Sequence, residues 1–163
     1  MKSNTTTKIL NIVLIIGIVA TILIMLGAPF IMGSALKVLE LPLDNTAMFY
    51  SLLAAFYICA IPYLVALFKL RTLTGLVSNN TPFVRKSVTS LKTISICAFL
   101  EIILFILSTN IIKYIFEEFD GVLLTTPIIL IGFMCVTLGL LFAVLAKLFK
   151  SAIELKEEND MTI

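Results

Sequence analysis

Residues 9–27 read ILNIVLIIGIVATILIMLG, 19 positions interrupted only by Asn11 and Thr21. At ~1.5 Å per residue, a helix of that length crosses most of a hydrocarbon core ~30 Å thick. Lys2 and Lys8 precede the run, so a secretory signal peptide is the competing assignment. A signal core is about 7–15 residues, shorter than this run, and Pro29 directly follows Ala28, the nearest small-residue cleavage candidate. The stretch is therefore expected to be a retained first span, over about 9–28.

Outward from that run the same chemistry repeats. The chain of 163 residues is 60% hydrophobic and 13% charged, with a mean hydropathy of +1.13. A soluble domain averages about 45–50% apolar and about 25% charged. A chain this small cannot hide the excess from water, because small domains leave much of their surface in solvent. Lipid removes the conflict. The fold class expected is an all-α membrane protein, a four-helix transmembrane bundle in a single membrane domain spanning 1–163.

The remaining spans are expected at about 46–68, 93–112 and 122–146. Phe30 to Asp44, preceded by Pro29 and containing Gly33, Lys37, Glu40 and Pro42, suggests a bend and a short amphipathic stretch at the outer interface. Pro62 is expected to kink the second span and to free a carbonyl that another group must satisfy. Residues 69–92 hold Lys69, Arg71, Arg85, Lys86 and Lys92 and no acid. Within them, Ser78-Asn79-Asn80-Thr81-Pro82 signals a break and restart, with Thr81 as cap and Pro82 as first helical residue. Lys113 to Gly121 is an acidic hairpin loop with interfacial aromatics. The tail, 147–163, is expected to extend the fourth helix with Leu148, Ala152 and Leu155 on one face and to end in Glu157-Glu158-Asn159-Asp160.

Charge sets the orientation. Ten cations (Lys2, Lys8, the five of 69–92, Lys147, Lys150 and Lys156) fall on one side, and Lys37 and Lys113 on the other. The positive-inside rule puts the ten in the cytoplasm, with both termini inside and two helical hairpins of like orientation.

Nothing in the chain has the pattern of a phosphate loop, a Ser/His/Asp set or a metal site, and there is no histidine. No catalytic residue, cofactor or metal is therefore assigned. Cys59, Cys97 and Cys135 lie in apolar runs and fit packing roles. The residue that most needs explaining is Glu101, near the middle of the third span. An acid there costs about 2.5–3.5 kcal/mol on insertion scales. The twelve Ile, Leu and Phe residues between Ile94 and Ile112 offset it, at roughly 0.3–0.6 kcal/mol each. Two accounts compete: a neutral, hydrogen-bonded acid facing the interior, or a proton or cation site. Thr21, Tyr57, Cys59 and Thr137 lie at comparable depth as partners for Glu101 or for the carbonyl freed by Pro62. Small residues at Ser51-Ala55-Cys59 and Gly139-Ala143 permit close helix approach, within one chain or between copies. The basic loop is expected to meet anionic headgroups rather than nucleic acid.

Asn80-Thr81-Pro82-Phe83, the following cationic stretch with Leu91-Lys92-Thr93-Ile94, and the ending Ala152 to Ile163 together resemble a bacterial four-span membrane family of unknown function. Its tail closes on an acidic Glu-Asn-Asp-aliphatic-Thr element, and the resemblance covers essentially the whole chain. Members are often encoded beside a small Cro/repressor-type helix-turn-helix regulator, which implies a plasma-membrane protein that holds or tunes such a partner. The expectation is a non-enzymatic regulatory protein whose contact residues are Pro82, Phe83, Arg85, Lys86, Glu157, Glu158 and Asp160. The alternatives are a proton- or ion-coupled transporter using Glu101 and an immunity-type protein recognising a toxin through 30–44 or 113–121.

Overall fold

The computed structural model describes residues 3–38, 46–79, 81–115 and 122–161. These form helices α1 (Ser3–Val38), α2 (Thr46–Ser78), α3 (Arg85–Ile115) and α4 (Val122–Met161). Each is long and apolar enough to cross a membrane, and the described residues contain no strand. The all-α, four-span expectation stands. Packing runs in chain order: α1 lies on α2, α2 on α3, and α3 on α4. Among the described residues no close backbone approach joins α1 to α3 or α4, or α2 to α4. The bundle is thus a serial row with α3 between two neighbours, and α1 and α4 present broad faces to lipid.

Of the bend expected over Phe30 to Asp44, residues 30–38 are helix instead. Helix α1 runs through Pro29 to Val38, while 39–45 lie outside the described residues. A proline inside a helix removes the N–H that would bond the carbonyl four residues back, here that of Met25. That oxygen accepts a hydrogen bond of 2.8 Å from the Tyr57 hydroxyl of α2. A neighbouring helix thus supplies the donor that the proline lacks, as continuous helix in hydrocarbon requires. Around this bond Leu14, Ile18, Thr21, Met25, Ala28 and Met32 are the better-covered positions of α1, alternating in steps of four and three. That spacing is the seam of a helix pair.

At one end of the row, Met48 and Ile112 are buried together, with Met32, Phe49, Leu52 and Ala55 packed around them. At the other, basic end, Thr74 of α2 and Ser87 and Ser90 of α3 are buried, as are Leu91 and Ile94. Thr74 and Ser90 donate to carbonyls of their own helices, those of Leu70 and Lys86, at 3.0 and 2.9 Å. Between α3 and α4, the Ser95 hydroxyl donates to the Gly139 carbonyl at 2.8 Å. A Cβ on Gly139 would stand 3.1 Å from the Phe99 ring, so a glycine is what lets these helices come so close.

The restart between α2 and α3 also differs from expectation. The Thr81 N–H bonds the Leu76 carbonyl at 3.0 Å and its hydroxyl reaches the same oxygen at 3.4 Å. Thr81 therefore closes the C-terminus of α2, in the six-to-one pattern common at helix ends, instead of capping α3. Helix α3 starts three residues later than Pro82, with Val84 accepting its first backbone bond from Ser87 at 2.9 Å.

Because the hydroxyl of Tyr57 answers a deficit created by Pro29, the two positions are coupled. Tyr57→Phe should destabilise the protein by about 1 kcal/mol, the usual worth of an interhelical hydrogen bond in a membrane. In a Pro29→Ala background, whose restored N–H serves Met25, the same change should cost distinctly less. Unfolding midpoints in a denaturing-detergent titration of the four proteins measure the coupling; equal costs in both backgrounds would refute it.

Candidate functional site

Helix α4 has 40 residues, about 60 Å of helix, twice the thickness of a hydrocarbon core. Lys147 to Met161 contain no glycine or proline and are rich in good helix formers, so the helix does not stop with its apolar run. Its extension lies along the start of α3. The face that packs is one position away from the one expected. Ala146 and Ile153 are buried and Phe149 is partly covered, whereas Leu148 and Leu155 point outward; only Ala152 of the expected trio is partly covered.

The two segments singled out in the sequence meet here. Phe83 stacks on Phe149 with ring centroids 5.1 Å apart, and Thr81, Pro82, Phe83 and Val84 form one wall of a groove of about 330 Å³ whose other wall is Ala152 and Lys156. Beside it, one Arg85 guanidinium nitrogen donates to both carboxylate oxygens of Glu157, at 3.1 and 3.2 Å. Lys150 pairs with Glu154 one turn along α4, at 3.4 Å. Both pairs are well exposed, and exposed pairs contribute little stability. They orient the surface more than they hold it. Lys86 is exposed on the first turn of α3 and Glu158 is exposed on α4, while the side chain of Asp160 lies outside the described residues. Sequence reasoning missed Phe149, whose signal was its i, i+3, i+7 register with Ala152 and Lys156.

Glu101 sits apart from this surface. By helical register it shares a face of α3 with Phe105, Ser108 and Ile112, which line a largely apolar cavity of about 230 Å³ against Leu52, Ala55, Phe56 and Cys59 of α2. Glu101 is half-buried, and its Oε2 is enclosed and accepts no hydrogen bond. Its candidate partners are engaged elsewhere. The hydroxyl of Tyr57 serves Met25, that of Thr21 donates to Gly17 at 2.8 Å, and that of Thr137, on an exposed face of α4, donates to Phe133 at 2.8 Å. What does lie within electrostatic reach are all three cysteines, Cys59 on α2, Cys97 on α3 and Cys135 on α4. No three acid and thiol groups among the described residues converge as metal ligands would. Reach across three helices was invisible in the sequence, where the cysteines lie in separate apolar runs.

Four membrane-length helices that hide little of their apolar surface against one another define a multi-pass integral membrane protein. Over residues 37–163 the chain matches the family described as protein of unknown function (DUF2975), and it belongs to that family. The match takes in α2, α3 and α4, and with them the Phe83 groove and Glu101. The chain is also 35% identical over 111 residues to the uncharacterized membrane protein YoaS of Bacillus subtilis (strain 168), covering 66% of this chain and 67% of that one. No solved structure matches it.

The enclosed oxygen of Glu101 makes a definite stability prediction. A buried polar atom without a partner is costly, and replacing it with an apolar group of similar size removes that cost. Glu101→Leu should therefore be at least as stable as Glu101→Gln in detergent, by thermal or denaturant midpoint. A Leu variant markedly less stable than the Gln variant would mean that a polar group at 101 holds the helices together.

Proposed function

We propose that this is a non-enzymatic regulatory protein of the bacterial plasma membrane, both termini cytoplasmic, which holds a soluble cytoplasmic protein on the surface formed by the start of α3 and the end of α4. The observation that carries the reading is the Phe83 groove. The two stretches most characteristic of the family resemblance, far apart in sequence, are its opposite walls. Phe83 remains 53% exposed despite its stacking on Phe149, and Leu155 is 67% exposed on a helix that is otherwise polar there. An exposed aromatic just before α3 and an exposed leucine on α4, rimmed by charges of both signs, are the usual ingredients of a protein-binding surface. The resemblance supplies the partner class, a small helix-turn-helix regulator. Release or retention of such a partner at the membrane would then be the regulated event.

A second reading is favoured by one observation, the unpartnered Oε2 of Glu101 within the third span. An intramembrane acid without a partner suits a proton- or ion-coupled role. Glu101→Gln that folds normally but abolishes the cellular phenotype would favour it. The immunity reading depends on 30–44 and 113–121, of which 39–44 and 116–121 lie outside the described residues, and nothing in the rest supports it.

Two experiments test the main reading. With the native cysteines removed, a cysteine at Asn79 or Asn159 should be shielded from an impermeant thiol reagent in intact cells, and one at Glu118 labelled. Labelling at Asn79 without permeabilisation would reverse the orientation and remove the surface from the cytoplasm. Phe83→Ala should leave membrane insertion unchanged but reduce capture of a soluble protein by several-fold, in line with the loss of a buried aromatic anchor. Capture by the wild-type chain no greater than by an unrelated four-span protein would end the proposal.

A further inference from the structure

A second groove opens on the α3–α4 seam, nearer the apolar spans than the Phe83 groove and sharing no lining residue with it. Its volume is about 320 Å³, and it is lined by Lys92, Ser95 and Ile96 of α3 and by Ala143, Ala146, Lys147 and Lys150 of α4. We propose that it is a binding site for an anionic phospholipid, with the phosphate between Lys92 and Lys147 and an acyl chain along Ile96 and Ala143.

Register supports the assignment. On α3, Lys92 precedes Ile96 by one turn; on α4, Ala143 precedes Lys147 by one turn. The two helices are antiparallel, as the Ser95–Gly139 and Arg85–Glu157 contacts require, so both lysines fall at one end of the groove and both apolar residues at the other. The groove is therefore cationic toward the polar end of the helices and apolar toward the spans. A phospholipid has the same polarity along the same axis. The small side chains of Ala143 and Ala146 provide the space, and Ser95 adds no competing polarity because its hydroxyl is already bonded to Gly139.

Charge selects the headgroup. Arg85 and Lys150 are engaged by Glu157 and Glu154, but among the described residues Lys92 and Lys147 enter no ion pair. The acids of the tail thus engage Arg85 and Lys150 and leave Lys92 and Lys147, which both line this groove, unpaired. Basic pockets between transmembrane helices at the membrane surface bind acidic headgroups. A zwitterionic lipid brings its own cation and gains less from two lysines. A soluble anion would use the lysines and leave the apolar half of the groove without a role.

The proposal goes beyond partner binding and is tested without a partner. Purified full-length protein in detergent is titrated with phosphatidylglycerol or with phosphatidylcholine of the same chains, and bound lipid is read by native mass spectrometry. Wild type should retain phosphatidylglycerol selectively. Lys92→Gln with Lys147→Gln should lower that retention on the order of 30-fold without changing retention of phosphatidylcholine, and the corresponding Arg pair should restore it. Ala143→Leu, an exposed position whose larger side chain fills the apolar half, should weaken phosphatidylglycerol binding with every charge in place. Equal retention of the two lipids by wild type, or no loss in the double Gln variant, would overturn the site. Normal binding in Ala143→Leu together with displacement by excess glycerophosphate would reduce it to a simple anion site and overturn the lipid assignment.

Discussion

A helix in hydrocarbon has no water to bond a stray carbonyl, and this structure is organised around that constraint. Pro29 leaves the Met25 oxygen without its usual donor in the middle of an apolar helix. The hydroxyl of Tyr57 takes the place of the missing N–H, so α1 continues to Val38 where a soluble protein would bend or expose the gap to water. The same bond fixes which face of α1 meets α2. Along α1 and α3 the threonine and serine hydroxyls of Thr21, Ser90 and Thr109 turn back onto carbonyls of their own helices. They satisfy themselves locally and remain compatible with either lipid or a neighbouring helix.

The basic end depends on packing more than on charge. The Arg85–Glu157 pair is the most conspicuous contact between α3 and the end of α4, yet it is exposed on both sides and worth little by itself. What aligns the two helices lies deeper: the Ser95–Gly139 hydrogen bond, the Phe99 ring against Gly139, and the burial of Ala146 and Ile153. The seam brings the N-terminus of α3 alongside the last turns of α4, and the Phe83 groove and the lysine groove lie along it. Helix α3 is the shared element. It contributes Phe83's neighbourhood and Lys92 at one end and Glu101 in the middle.

Glu101 illustrates a different balance. Its carboxyl group is within electrostatic reach of three thiols, on the face of α3 that lines an apolar cavity, with one oxygen unpaired. The apolar residues around it make insertion tolerable but do not make the position comfortable. A buried acid with an unpartnered oxygen is where a functional role is worth seeking, which is why the transport reading keeps its place behind the interaction reading.

How much was legible in the sequence follows from what kind of signal each feature leaves. Span number, the extension of α4 beyond its apolar run, and the two charged segments at one end were readable from run length and charge placement, because insertion depends on summed hydrophobicity and on where the cations lie. Thr81 was readable as a helix boundary but assigned to the wrong helix, since a threonine before a proline can close one helix as well as open the next. The inward face of the tail was misjudged because its leucines and its Phe149–Ile153 pair are equally apolar. The spans themselves leave even less signal. In lipid the inside and outside of a helix are alike in polarity, so no periodicity distinguishes the face that packs from the face that meets the bilayer. The sequence by itself determined that the chain crosses a membrane and roughly where; only the tertiary structure decided which neighbour each helix chose, that Tyr57 serves Pro29's deficit, and that Phe83 and Lys92 meet α4, because those choices rest on single contacts in space that leave no periodic trace along the chain.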